Sequence, residues 1–266
     1  MAQVKDIYQF IDKLAPFSIQ ESFDNAGFLV GRSTQEVSRV LVALDITVPV
    51  IQEAEQMGAE LIVAHHPVIF HPLTRVTNTD PTQERVLLLA ENGIAAICAH
   101  TNLDAAADGV NDLLARALEL DKIDQLAQAG VDEQGRPYGI GRTGTRNAHT
   151  PADPPAFAAY VKGRLNAPCV RYHDAGRPVE RVAVGGGSCG SMLADVVAAG
   201  CDTFVTADVK HDVFLDAAQL GINLLDAGHF STENVVVEPL AQALRSAFPT
   251  LDIRCSAVHK EVYSAL

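Results

Sequence analysis

The stretch Arg39–Phe70 reads in three pieces: RVLVALDIT (39–47), PVIQEAEQMG (49–58) and AELIVAHHPVIF (59–70). The first and last are apolar runs without the alternation of a half-wet strand. The middle piece spaces its apolar residues as a helix does and stops at Gly58. Strand, helix, strand is a βαβ unit, and continuous apolar runs predict parallel strands covered on both faces. Working outward, TQERVLLLAENG (82–93) reads as a second helix, IAAICAHTNLD (94–104) as a third buried strand with a polar end, and GVNDLLARALEL (109–120) as a further helix.

The same order recurs downstream in RVAVGGG (181–187), SMLADVVAAG (191–200), CDTFVTADVKH (201–211), DVFLDAAQLG (212–221) and INLLDAGHFSTE (222–233), with NVVVEPLAQALRSAF (234–248) as the last helix. Arg39 to Gly58 and Arg181 to Gly200 are both 19 residues apart (58 − 39 and 200 − 181), and each glycine precedes an acid-bearing strand start, AEL or CDT. The expectation is an α/β protein of two related lobes produced by internal duplication. Between the copies, VDEQGRPYGIGRTGTRNAHTPADPP (131–155) is dense in turn formers, followed by a short FAAYVKGRL helix. That places the lobe boundary near residues 122–135, with lobes 1–125 and 126–266. The terminal LDIRCSAV strand could join either sheet, and the last helix and strand could pack back on the first lobe.

At 266 residues, about 150 per domain gives about 1.8 domains, in keeping with two lobes. The net charge of −13 argues against general nucleic-acid binding and favours cations. Five cysteines without a CxxC pair fit a reducing compartment better than a disulfide framework. The amino terminus, broken by Asp6 and Asp12, is no signal peptide, and no apolar run reaches the roughly 18 residues of a membrane span. The expected location is the cytoplasm, with no membrane partner.

In open α/β sheets ligands gather at the carboxyl ends of strands. There the sequence places His65-His66-Pro67, His100-Thr101-Asn102-Leu103-Asp104, Asp208, and His229 with Glu233 four residues on. Imidazole with carboxylate is a donor set for zinc, iron or manganese, not for magnesium or calcium. Adjacent His65 and His66, pointing to opposite faces of a strand, cannot easily serve one ion, whereas two ions solve the geometry. His229 and Glu233 share a face if a helix runs through them, with Ser231 or Thr232 as its cap. His65, His66, Asp104, His229 and Glu233 supply three ligands to each of two ions if one carboxylate bridges. His100 is a sixth candidate, as ligand, substrate-facing group or proton shuttle. One histidine at a strand end is usually a hydrogen-bonding loop residue; the grouping carries the reading. His71, His149, His173, His211 and His259 lack such context and read as surface residues.

A rival signal is Gly185-Gly186-Gly187-Ser188-Cys189-Gly190, a G-x-G-x-x-G match between strand and helix with Asp208 downstream. It admits dinucleotide binding, a cradle for substrate phosphates, or a tight turn with no ligand. The loop Glu21–Phe28 (ESFDNAGF) is a turn or a flap over the metal site.

With HHP, HTNLD, GHFSTE and FDNAG in this order, the chain resembles the GTP cyclohydrolase I type 2 homologue family, the YbgI-like dinuclear metal-binding proteins. The resemblance spans nearly the whole chain. It implies a dimetal site in the cleft between two α/β lobes and assembly as a homohexamer. It places the ligands of two divalent transition-metal ions (Zn, Fe or Mn) on His65, His66, Asp104, His229 and Glu233, with Glu233 as bridge. The family's usual Trp before Asp-Asn is Phe23 here, and its Thr-Gly-Asp reads Thr206-Ala207-Asp208; both departures lie outside the ligand set. The family name implies hydrolytic opening of the guanine ring of GTP, with a nucleotide or other small molecule as substrate; on the reading of the residues His100 is the catalytic candidate. The alternative is a non-catalytic metal-binding scaffold or regulator that forms a ring.

Overall fold

The Arg39–Thr47 run forms a strand over Arg39–Ala43, and Val40, Leu41, Val42 and Ala43 are all buried. Thr47 then caps a helix over Val48–Met57 with its side chain accepting from the Val50 amide, Pro49 occupies the first turn, and Gly58 ends it in the left-handed conformation at φ 66°. Each device matches its chemistry: a hydroxyl cap for orphan N–H groups, proline where no N–H is needed, and glycine where a Cβ would be strained. The computed structural model describes residues 2–266. These fall into two compact units, residues 2–103 with Val236–Lys260, and Asp104–Val235 with Glu261–Leu266. Residues 104–125 therefore pack with the second unit, and 236–260 with the first.

The first unit is built on a five-stranded sheet in the order 252–255, 39–43, 61–64, 95–98, 27–30. Its first four strands run parallel, and Gly27–Val30 closes one edge antiparallel. The terminal strand, left open between sheets by sequence, pairs Asp252 with Arg39 and Cys255 with Val42. Helix Val4–Leu14 buries Val4, Ile7 and Ile11, one stripe at helical spacing.

In the second unit a six-stranded sheet runs 171–173, 223–226, 203–206, 181–184, 142–145, 121–125. Strands 181–184, 203–206 and 223–226 are parallel. Alternate residues feed two different cores. Val182, Val184, Val205 and Leu225 face Phe157 and Val161 on one side, while Ala183, Phe204 and Leu224 face Val196 and Ala217 on the other. Burial on both faces is the reason for continuous apolar runs. Strand Asp121–Gln125 begins at the expected lobe boundary and Arg142–Thr145 lies in the stretch expected to hold turns and connections. The first is largely exposed and charged, which suits an edge strand and hides it from a hydrophobic pattern.

The duplicated register has a physical cause. Glu60 takes hydrogen bonds from the amides of Ser38 (3.0 Å) and Arg39 (2.8 Å). Asp202 takes them from Glu180 (3.0 Å) and Arg181 (2.7 Å). In both units the acid at the start of one strand satisfies the orphan amides at the start of its neighbour. Gly58 and Gly200, at φ 66° and 69°, turn the chain into that position.

Candidate metal centre

In the first unit the chain leaves the sheet at Ala64, so His65 and His66 both lie beyond the regular strand and strand alternation no longer separates them. Their rings sit 5.0 Å apart, and that of His100 lies 5.2 Å from His65 and 5.6 Å from His66. Each offers one nitrogen to a group whose members lie within 4.8 Å of one another. His65, fully buried, donates from Nδ1 to the Ala99 carbonyl at 2.7 Å. His66 donates from Nδ1 to Asp45 at 2.7 Å, and His100 from Nδ1 to Asp24 at 2.8 Å.

Asp24, in the FDNAG loop, also accepts from the Thr101 amide and hydroxyl and the Asn25 amide, with its side chain shut off from solvent. Burial alone would raise its pKa. The bonds from His100 and Thr101, and the His100 charge, outweigh burial and hold it at about 2. Cys98, just behind, is pushed up to about 12, chiefly by burial; its thiol stays protonated and inert.

In the second unit a helix runs over His229–Glu233, so the two side chains share a face, with His229 Nε2 3.0 Å from Glu233 Oε2. His229 donates from Nδ1 to Asp208 at 2.6 Å. Neither Ser231 nor Thr232 caps this helix. It starts at His229, earlier than a cap there would allow, and the Thr232 hydroxyl instead bonds back to the Gly228 and His229 carbonyls. Asp104 and Glu233 are both buried, with carboxylate oxygens within 4.8 Å. Burial and these two negative charges together drive the Cys189 thiol far above its ordinary pKa.

The glycine loop serves this pair and not a phosphate. The Gly185 amide bonds the Val205 carbonyl, the Gly186 amide bonds Asn111, and the Gly187 amide bonds the Thr232 hydroxyl at 3.0 Å. Both the dinucleotide and the phosphate-cradle readings need those amides turned outward. A Cβ on Gly187 would stand 2.0 Å from Glu233 Oε1 and 3.2 Å from His229 Nε2. Gly187 is glycine because the Glu233 carboxylate occupies the space, whereas a Cβ on Gly185 would meet Cys189 and one on Gly186 would meet Val110.

One regularity joins the four imidazoles. Each Nδ1 faces an oxygen that can only accept, so each Nδ1 carries a proton, and in a neutral ring Nε2 is then the lone-pair nitrogen. This is the tautomer of a metal ligand braced from behind. For His229 the consequence is sharper: a lone-pair nitrogen and a carboxylate oxygen stand 3.0 Å apart, a mutual repulsion that a proton or a cation between them removes. That spacing suits ligands sharing one ion at bonds of about 2.0–2.2 Å. Two buried carboxylates so close also favour a bound cation. The residues fit a transition metal on the chemistry of the donor set.

The bracing roles of Asp45 and Asp208 were not legible in sequence, although each lies two residues beyond a strand and Asp208 stood among the strand-end candidates. Of the five histidines read as surface groups, two depart: His173 is partly buried in strand Arg171–His173, and His259 is partly buried with its Nε2 accepting from the Leu44 amide at 3.1 Å. Burial, more than its charged neighbours, lowers its pKa.

A family model described as Duf34/NIF3 (NGG1p interacting factor 3) matches residues 2–262. The chain belongs to the Duf34/NIF3 family. Among its relatives is a protein of Clostridium perfringens named "GTP cyclohydrolase 1 type 2 homolog", 31% identical over 244 residues, 91% of each chain. A protein of Streptomyces coelicolor with the same name is 39% identical over 237 residues, 88% of this chain and 82% of its own. Among solved structures, Staphylococcus aureus hypothetical protein SA1388 is similar with a TM-score of 0.91 at 30% identity, covering 99% of both chains. A Bacillus cereus protein related to NIF3 shares the Duf34/NIF3 fold with a TM-score of 0.92 at 23% identity, covering 100% of this chain and 99% of its own.

Proposed function

We propose that this Duf34/NIF3 protein is a metal-dependent hydrolase whose two divalent transition-metal ions are held by His65, His66, Asp104, His229 and Glu233, with Glu233 as the shared ligand. The observation that carries the reading is the bracing within each unit: His65, His66 and His100 in the first and His229 in the second each hold Nδ1 against an oxygen that can only accept, and Asp104 and Glu233 are buried in the second. Covalent connection adds support. The chain passes between the units at Leu103/Asp104, at Val235/Val236 and at Lys260/Glu261. His100 and Asp104 are four residues apart, so backbone length alone keeps them within about 14 Å, and Glu233 stands three residues from the second crossing.

Ions of this kind supply a water acidic enough to act as hydroxide near neutral pH. The chain's own residues do the rest. Asp45, Asp208 and the Ala99 carbonyl fix ring orientation in His66, His229 and His65. Asp24 stays ionised at any working pH and holds His100 with its proton on Nδ1, so Nε2 takes and returns the proton that hydrolysis moves. The name of the relatives makes GTP the first substrate to test, with opening of its guanine ring as the reaction.

Elemental analysis of the wild type beside Glu233→Ala tests the ions: about two equivalents, and a clear loss in the variant, are expected. Metal-loaded protein that leaves GTP and other cyclic amides or phosphoesters unchanged would sink the catalytic half. A second reading, a cytoplasmic metal-bound scaffold assembled as a homohexamer, is favoured by the position of Asp104 and Glu233 beside the chain crossings, where bound ions would stabilise the folded form by linkage. It expects a large drop in melting temperature on chelation with no turnover on any substrate.

A further inference from the structure

In the second unit a cavity of about 300 Å³ lies beside His229, and apart from His229 and its brace Asp208 the chemistry above uses none of its walls. That is the small end of the range for ligand pockets, about 300–1,000 Å³, with room for one ring and not for a nucleoside triphosphate. Its wall carries three carboxylates, from Asp208, Asp226 and Glu261, against one cation, Arg171.

Arg171 is already engaged. It donates to Asp226 and to the Val209 carbonyl, and its guanidinium lies 5.4 Å from the Phe214 ring centre. Asp226 is filled in turn by Arg171 and by the amides of Val209 and Gly228. What remains is acceptor capacity. Glu261 gives Oε1 to the Val262 amide, while its Oε2 is buried and takes no hydrogen bond. Asp208 commits Oδ2 to His229. Tyr263 also lines the cavity, its hydroxyl close enough to Gly228 that a Cβ there would stand 2.9 Å away. Surplus negative charge repels a phosphate, and a buried acceptor is satisfied only by a donor.

We propose that this pocket recognises a paired N–H edge, an amidine or guanidine unit such as guanine carries on its pyrimidine side, with Glu261 as the principal acceptor and Asp208 as the second. The inference deepens the hydrolase reading and rests on it for the rest of the substrate. Seating the pyrimidine edge leaves the five-membered ring uncovered and the phosphates outside.

Calorimetric titration of guanosine tests this. Inosine, which lacks the exocyclic amine, and tripolyphosphate serve as comparison ligands. Wild type and Glu261→Gln are titrated with and without chelator. Guanosine is expected to bind saturably, inosine several-fold more weakly, and Glu261→Gln to cut guanosine affinity about tenfold, the loss of one charge-assisted bond; tripolyphosphate should displace nothing. Undiminished guanosine affinity in Glu261→Gln, no saturable guanosine binding, or displacement by tripolyphosphate would each overturn the proposal. If Glu261→Gln fails to fold, as read by circular dichroism, the guanosine-to-inosine ratio on the wild type decides. Metal content is measured separately. Guanosine binding by a protein that holds no metal would retain the pocket and discard the hydrolase, and metal without guanosine binding would do the reverse.

Discussion

Gly187 has no room for a methyl group. With φ at +64° and Glu233 Oε1 2.0 Å from the position of a Cβ, Gly187→Ala must strain the backbone or displace the carboxylate. The expected outcome is loss of metal by elemental analysis with the melting temperature lowered by several degrees. Asp24 supports a pH prediction. Its pKa lies at about 2 in the folded chain against about 4 in the unfolded one. A depressed carboxyl stabilises the fold above its unfolded pKa, and that contribution is lost as pH falls from about 4 to about 2. Asp24→Asn should cost about 2 kcal/mol near neutrality and flatten the acid limb of the stability curve in that window, read by urea unfolding at stepped pH. An unchanged limb would show that the carboxylate is not what holds His100. Sequence singled out the FDNAG loop but not the reach of Asp24 to a histidine 76 residues away. No local pattern encodes that bond.

At the scale of elements, the duplicated strand starts make a paired prediction. Glu60 and Asp202 each satisfy two neighbouring-strand amides with one carboxylate. Glu60→Gln and Asp202→Asn should each lose about 1–3 kcal/mol, the more buried Asp202 losing more, as measured by chemical denaturation. A negligible effect at both sites would deny that the repeat is maintained by this contact. The acids and glycines of that register were visible as spacing, because one local device recurs in each unit. The strands Asp121–Gln125 and Arg142–Thr145 were not visible. Their pairing depends on a buried arginine: Arg142 donates to the carbonyls of Gly139, Gly141 and Ala106 and to Asp112. A charged residue in a Gly-rich stretch gives no periodic signal of burial. Arg142→Met leaves those acceptors unsatisfied and should cost about 3–5 kcal/mol, enough to be read in the unfolding midpoint.

For the whole molecule the test is whether ligands from both units serve the same ions. If they do, His65→Ala and Glu233→Ala should each deplete bound metal well beyond one ligand's share. The double variant should then add little, since the set fails as a unit. Independent, additive losses in elemental analysis would mean that each unit keeps its own metal. Chelation should lower the melting temperature of the wild type and leave that of the double variant nearly unmoved.

The α/β class, the two copies, the strand-end histidines and the spacing of His229 to Glu233 were settled by the sequence itself, because buried parallel strands and helical faces have periods that survive in one dimension. Folding in three dimensions alone decided which sheet takes Asp252–Cys255, what the glycine loop is for, and which acids brace which imidazoles. Those outcomes rest on contacts between residues far apart in the chain, where geometry and desolvation choose the partner and no spacing records the choice.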